Sequence, residues 1–462
     1  MKRLTRIFML LTAFVVLAVT AQNAADYDKN WPEWRGPLAS GVAPNSDPAV
    51  EWSETKNVKW KIAIPGKGHS TPIIWGDMMF LLTAVPTDKV VEVKEKPAMA
   101  PGQGMANPHG QTQSQGQPQR RGMTMNSTDQ VHRFVVVAVN RITGKIIWQK
   151  TVKEERPEEG THEFGSWASN SPVTDGEFLY AYFGSRGLFC LDFEGNIKWE
   201  RDFGQMNKKM EFGEGSSPVL YKDKIIVLWD HEGDSFLYIL DKKTGKDIHK
   251  IARDEATSWG SPFVIEVGGK PQVVTSATKL IRSYDLETGE LIWQCGGMTA
   301  NVIPQPVYQD GILYLMSGFR GNAMLAIRTA GAKGDITDSD AIVWKYDGKE
   351  TSYTPSPALI NNRLYFIRSN NGYLSCFNAK TGEEIYSGQK LEGIGSIFTS
   401  PLVAGGRIYI VGQQGTAYVI QEGAEFKILA KNVLDDMVVS SPVAIGKTLY
   451  LRGYNHLYCI EE

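Results

Sequence analysis

The chain has 462 residues, 42% of them hydrophobic and 22% charged, with a formal net charge of −2. That composition excludes a disordered chain, a collagen and a multi-span membrane protein, and so small a charge leaves no basic field for nucleic acid. Forty-six Gly and 12 Trp occur together, which suits many tight turns and large buried rings.

Lys2, Arg3 and Arg6 precede an apolar run at 7–19, too short to span a bilayer comfortably. Val19 and Ala21 supply small residues at −3 and −1 of a cleavage site before Gln22. The expectation is a signal peptide at 1–21 and a mature chain of 22–462. That chain would be exported to the periplasm or beyond, with no stable membrane insertion after cleavage. The four cysteines, Cys190, Cys295, Cys376 and Cys459, form no CxxC or CxxCH. A zinc ribbon, a c-type haem and a disulfide scaffold are therefore disfavoured.

A strand is predicted at 57–62. From Pro72 onward the chain repeats itself. A small or polar residue, Pro and an apolar residue recur at Pro72, Pro172, Pro218, Pro262, Pro306, Pro357, Pro401 and Pro442, with intervals of 100, 46, 44, 44, 51, 44 and 41. Each unit predicts four strands. A short apolar strand and a Gly/Asp/Asn turn lead to a second strand, such as 178–183. A polar loop precedes the third, such as 188–192 or 373–377. An Asn/Asp-x-x-Thr-Gly turn then precedes a fourth strand carrying a bulky residue: Trp148, Trp199, His249, Trp293, Trp344 or Tyr386. An Asx side chain closes such a turn and Gly accepts its positive φ.

Eight such units predict an all-β, eight-bladed β-propeller of four-stranded antiparallel blades. The chain stops after a third strand at 457–460, so the strand at 57–62 should complete the last blade and close the ring. Cys190, Cys376 and Cys459 then fall at one repeated third-strand position, read as buried small hydrophobes. The long first interval holds a Gln/Gly/Met-rich tract at 98–127, expected to be a disordered insertion within blade 1. An elaboration of blade 5 is expected at 331–340.

The irregular loops all fall on one face, where strand four passes to strand one and strand two to strand three. Function favours irregular loops on a rigid scaffold. They carry His69, His162, Trp167, Arg186, Glu214, Asp230, His231, Trp259, Lys279, Arg320 and Asn370. Cations, two Trp and a few His at one channel mouth would suit an anionic or aromatic ligand. Arg186, Lys279 and Arg320 occupy corresponding loops and are expected to point toward that mouth. No residue is assigned a catalytic or metal-binding role from its spacing, and no GxSxG supports a hydrolase acting through His231.

The repeat, seen as LYIL followed by DKKTGK and as DLETGELIW, resembles the pyrroloquinoline quinone (PQQ) repeat. The segments WPEWRGP, NVKWK, PGKGHSTP, SPVTDGEFLYAYFGSRGL and HLYCI are similar to the secreted bacterial PQQ-binding-like β-propeller repeat proteins. The same repeat builds the BamB assembly lipoprotein and the quinoprotein alcohol dehydrogenases. The first likeness implies an exported, monomeric binding or scaffold propeller with a protein, peptide or glycan ligand. The second implies an oxidoreductase holding PQQ and calcium, with Glu214 or Asp230 as base or metal ligand. Those enzymes carry a disulfide between adjacent cysteines over the cofactor; this chain has no adjacent pair.

Overall fold

The computed structural model describes residues 27, 29–91, 125–126 and 129–462. Eight four-stranded antiparallel sheets follow one another around a ring. Blade 1 comprises Ile73–Trp75, Met78–Val90, Gln130–Asn140 and Ile146–Glu155. Its central hairpin is longer than the sequence pattern suggests. Met125–Asn126, inside the tract expected to be disordered, pair with Thr161–His162. The rest of that tract, like the expected signal peptide, lies outside the described residues. Blade 8 takes three strands from the C-terminus and its fourth from Val58–Ala63, which pairs antiparallel with His456–Ile460. The predicted ring closure is therefore present.

The core lies between blades rather than within them. Each buried cluster joins neighbouring sheets: blades 1 and 2 through Phe80, Phe134 and Phe183, blades 2 and 3 through Tyr180, Cys190 and Tyr238. One cross-strand row recurs. A ring on strand two, a small residue on strand three and a ring on strand four stand abreast in Tyr180–Cys190–Trp199, Tyr450–Cys459–Trp60 and Tyr365–Cys376–Tyr386. The small residue is what fits between two rings. All four cysteines are buried and free.

The fourth-strand Trp then reaches the next blade. Trp148, Trp199 and Trp344 donate their indole N–H to the carbonyls of Phe193, Lys242 and Ala379 at 2.8–3.0 Å. Trp60 does the same to Arg141 across the closing seam. The ring lies flat on the turn glycine of that next blade. A Cβ on Gly245, whose φ is +67°, would stand 2.6 Å from Trp199, so only Gly serves there. Blade 7 has Ala430 at this position, and Trp52 from the N-terminal segment stacks on Tyr409 instead.

The residue before each repeated Pro has its own task. The N–H of Thr71 donates to Ser171 Oγ, Ser171 to Ser217, and Ser217 to Ser261. Gln305 donates to Ser356, Ser356 to Ser400, Ser400 to Ser441, and Ser441 back to Thr71. A girdle of seven hydrogen bonds thus runs around the axis, open between Ser261 and Gln305, and each following Pro adds no competing N–H.

Residues 30–48 cross the regular-turn face as a plug. Pro32 O accepts from Thr174 N in blade 2. Arg35 donates to Pro357 O and Ser40 O at 2.6 and 2.8 Å. Val42–Ala43 pair parallel to blade 7 at Val403 and Ala404. Arg35 is 2% exposed and has no carboxylate partner among the described residues, so burial draws its guanidinium down to about 9.

Candidate functional site

The mouth is built by the loops opposite the plug, and its charges are largely spent on one another. Asp230 is fully buried. Arg253 grips it with two bonds, Nε–Oδ1 at 2.8 Å and Nη2–Oδ2 at 3.1 Å, and Ser258 Oγ donates to Oδ2 at 2.7 Å. The same Arg253 reaches Thr275 and Tyr284 through Nη1. Glu255 takes Arg282 at 2.6 Å together with the N–H groups of Lys279 and Leu280. Glu350 takes Arg368 and Ser375. Each pairing satisfies a carboxylate in low dielectric, where an unpaired one would be costly.

Glu214 accepts from Ser185 N at 2.8 Å and from Ser185 Oγ at 2.5 Å, and meets Arg186 Nη1 at 3.3 Å. Arg186 is 5% exposed. It lies between Glu214 and Glu155, over the ring of Phe134. Desolvation pushes the Glu155 carboxyl up, partly offset by Arg186. Glu159, Trp167, Arg186 and Glu214 line a small cavity of about 10 Å³, room for about one water. The structure thus brings three of the expected residues, Trp167, Arg186 and Glu214, to one place.

The others are distributed. His231 Nδ1 accepts from Asn207 N and Gly233 N while Nε2 faces Asp234 O at 3.0 Å, which fixes a neutral ring; burial also lowers its affinity for a proton. Trp167 and Trp259 donate their indole N–H to Glu159 O and Gly213 O. Lys208, buried among the carbonyls of Asp230 and Ser258, lies over the Trp259 ring. Lys279 pairs with Asp254 at the exposed rim. Arg320 is exposed over Phe319. Asn370 offers its carbonyl to Ile397 N. His69 stacks on Tyr454 at 4.9 Å; burial, Lys67 and Arg452 hold its imidazole well below the usual range.

A strip of half-buried rings crosses the mouth, of which the sequence signalled His162 and Trp259 but not Phe212, Phe164 or Phe398. Trp259 meets Phe212, Phe212 meets His162, His162 meets Phe164, and Phe164 meets Phe398 from the blade 6–7 loop, with centroids 5.6–6.3 Å apart. On the opposite face a larger cleft of about 180 Å³ lies between the plug and blade 8, walled by Trp31, Pro37, Pro44 and Ile445.

A family model described as outer membrane protein assembly factor BamB matches residues 132–388 and 237–462, well over half of the sequence. The chain belongs to this family. The PQQ-like propeller expected from the repeat is thereby established. A quinoprotein ethanol dehydrogenase of Pseudomonas putida is 22% identical over 276 residues, covering 54% of this chain and 41% of the enzyme. The chain thus matches less than half the length of that relative. BamB of Moraxella catarrhalis superposes with a TM-score of 0.54 at 15% identity, covering 73% of this chain and 96% of BamB. A quinohemoprotein alcohol dehydrogenase of Comamonas testosteroni gives 0.59 at 10% identity, over 96% and 84%. A europium-containing methanol dehydrogenase gives 0.61 at 10%, over 93% and 90%. At such identities the structures share the fold.

On the plug, desolvation acts on Glu33 in the same direction as on Glu155. Burial pushes the Glu33 carboxyl up to about 8. The folded chain then keeps a proton that the unfolded chain has released. The stability this group contributes is full below the unfolded value of 4.5 and is lost as pH rises toward 8, at ~1.4 kcal/mol per pH unit. Glu33→Gln should flatten that slope. Melting temperatures of the two proteins compared from about pH 5 to about pH 8.5 should diverge, the variant holding up better at the alkaline end. Parallel curves would refute the protonated carboxyl.

Proposed function

We propose that this chain is an exported, non-catalytic binding or scaffold propeller that recognises a protein, peptide or glycan partner at its mouth. The observation that carries this reading is the internal neutralisation of the mouth. Asp230, Glu214, Glu255 and Glu350 each serve an arginine and further donors, and the rings of His162, Phe164, Phe212 and Phe398 are left half-exposed. Such a surface offers contact area with little chemistry. Among the described residues no helix is long and apolar enough to cross a membrane.

The donor set fits PQQ and calcium poorly. Calcium takes six to eight oxygens with free lone pairs, and Asp230 and Glu214 have given theirs to arginine, serine and backbone N–H. The cysteines sit in blades 2, 4, 6 and 8, each apart from the others. Oxidation through a bound quinone also needs a carboxylate able to take a substrate proton, and Asp230 is held by Arg253 within the fold.

The partner surface is testable. Phe164→Ser combined with Phe398→Ser should abolish capture of the partner by chemical cross-linking in host extract, while the melting temperature moves little. Undiminished capture of the same species by the folded variant would move the surface off the mouth.

A further inference from the structure

Seven of the eight seams carry a bond of the inner girdle; the seam between blades 4 and 5 does not. No hydrogen bond joins Ser261 to Gln305, and Gln305 Oε1 is buried without a partner among the described residues. The outer bond is missing at the same seam, because Trp293 is fully buried with its indole N–H unpaired. Elsewhere a seam that lacks one device keeps the other. What remains between blades 4 and 5 is apolar packing around Trp293, Leu313, Leu315 and Ile327, a long Tyr308 hydroxyl contact to Glu266 O at 3.4 Å, and two bonds to the segment that leads into blade 5, Trp259 N to Val302 O and Asn301 N to Thr278 Oγ1, each at 3.1 Å. Apolar contact is non-directional, whereas the missing bonds would fix register.

A separate tie spans the rim of this seam. The insertion between the third and fourth strands of blade 5 sends Gly334–Asp335 alongside Trp293 and Gln294 of blade 4 as a short parallel strand. Ile336 N donates to Gln294 O at 2.9 Å, Thr337 Oγ1 accepts from Gly296 N at 3.0 Å, and Gln294 Nε2 donates to Asp335 Oδ2 at 3.2 Å. Asp335 also holds Thr337 in place through its N–H and hydroxyl. The tie covers a strand, Leu291–Cys295, that has no charged residue to guard its edge.

We propose that the seam between blades 4 and 5 is the opening joint of the ring, and that the blade 5 insertion is a clasp that holds it shut. In the blade order this joint lies opposite the seam between blades 8 and 1, so opening separates blades 1–4 from blades 5–8. The plug also ties these halves, through Thr174 in blade 2 and Pro357 in blade 6.

The chain carries its own reporters. Cys295 ends the clasped strand and lies in the seam's apolar cluster, 1% exposed. Cys190, Cys376 and Cys459 are equally buried, in the clusters of other seams. Local opening exposes one site, whereas global unfolding exposes all four together. The folded full-length protein is treated with a neutral alkylating reagent, and each cysteine is followed by peptide mass spectrometry. Cys295 should be modified about tenfold faster than the other three, as local opening requires. Thr337→Val should speed Cys295 further and leave the others unchanged. Gln305→Ser supplies the missing girdle hydroxyl and should slow it. A common rate for all four cysteines in the unaltered protein would overturn the proposal, whatever the variants do. So would a clasp variant that folds and leaves Cys295 unchanged.

Discussion

Removal of residues 1–63 is expected to abolish the closed ring. The deletion takes the fourth strand of blade 8, Val58–Ala63, and leaves the edge of His456–Ile460 bare. It also removes Trp60, which bridges to Arg141 of blade 1, Trp52, which fills the seam of blade 7, and the whole plug. Loss of one buried Trp costs ~3–5 kcal/mol, and the buried Trp31 and Trp52 are both lost here, along with the half-buried Trp60 and a ladder of backbone bonds. An unpaired apolar edge then invites association. Size exclusion with light scattering should find aggregate or an open, early-melting species. A truncated protein that is monomeric and melts with the full chain would contradict the strand assignment.

Asp230→Ala is expected to cost ~3–5 kcal/mol, because it strands the fully buried Arg253 without a counter-charge. Replacing both partners, Asp230→Leu with Arg253→Met, should recover much of that loss, since a buried pair is often matched by apolar residues of similar volume. Urea titrations of the three proteins measure it. A residue kept for binding or proton transfer would behave otherwise: its loss would leave stability unchanged or improved. A stable Asp230→Ala protein would return Asp230 to the list of working groups.

The contrast between Asp230 and the repeated Pro motif explains how much the sequence could convey. Thr71, Ser171, Ser217 and their equivalents recur because seven of the eight blades present one small acceptor to a neighbour beside the axis. A requirement repeated seven times leaves a period. The turn glycines and the fourth-strand Trp recur for the same reason. Asp230 and Arg253 stand 23 residues apart on separate elements, and each alone reads as surface charge. Only the packed sheet buries them side by side. Lys208 and Phe398 lie in loops of no common pattern, so their part of the mouth had no sequence signature. The segment WPEWRGP at 31–37 carried only a family resemblance, and nothing periodic in it foretold a plug. Trp167, Arg186 and Glu214 were brought together as the loop positions implied. Lys279 was turned to the rim by Asp254, an acid that the repeat does not predict.

The central claim is that the mouth binds a partner and performs no quinone chemistry. Its most direct test is titration of the purified full-length protein with PQQ in the presence of calcium, read by quinone absorbance and by dye reduction with alcohols and aldoses. No saturable change in the quinone spectrum and no substrate-dependent reduction are expected. A stoichiometric quinone complex that reduces dye only when alcohol is added would contradict it.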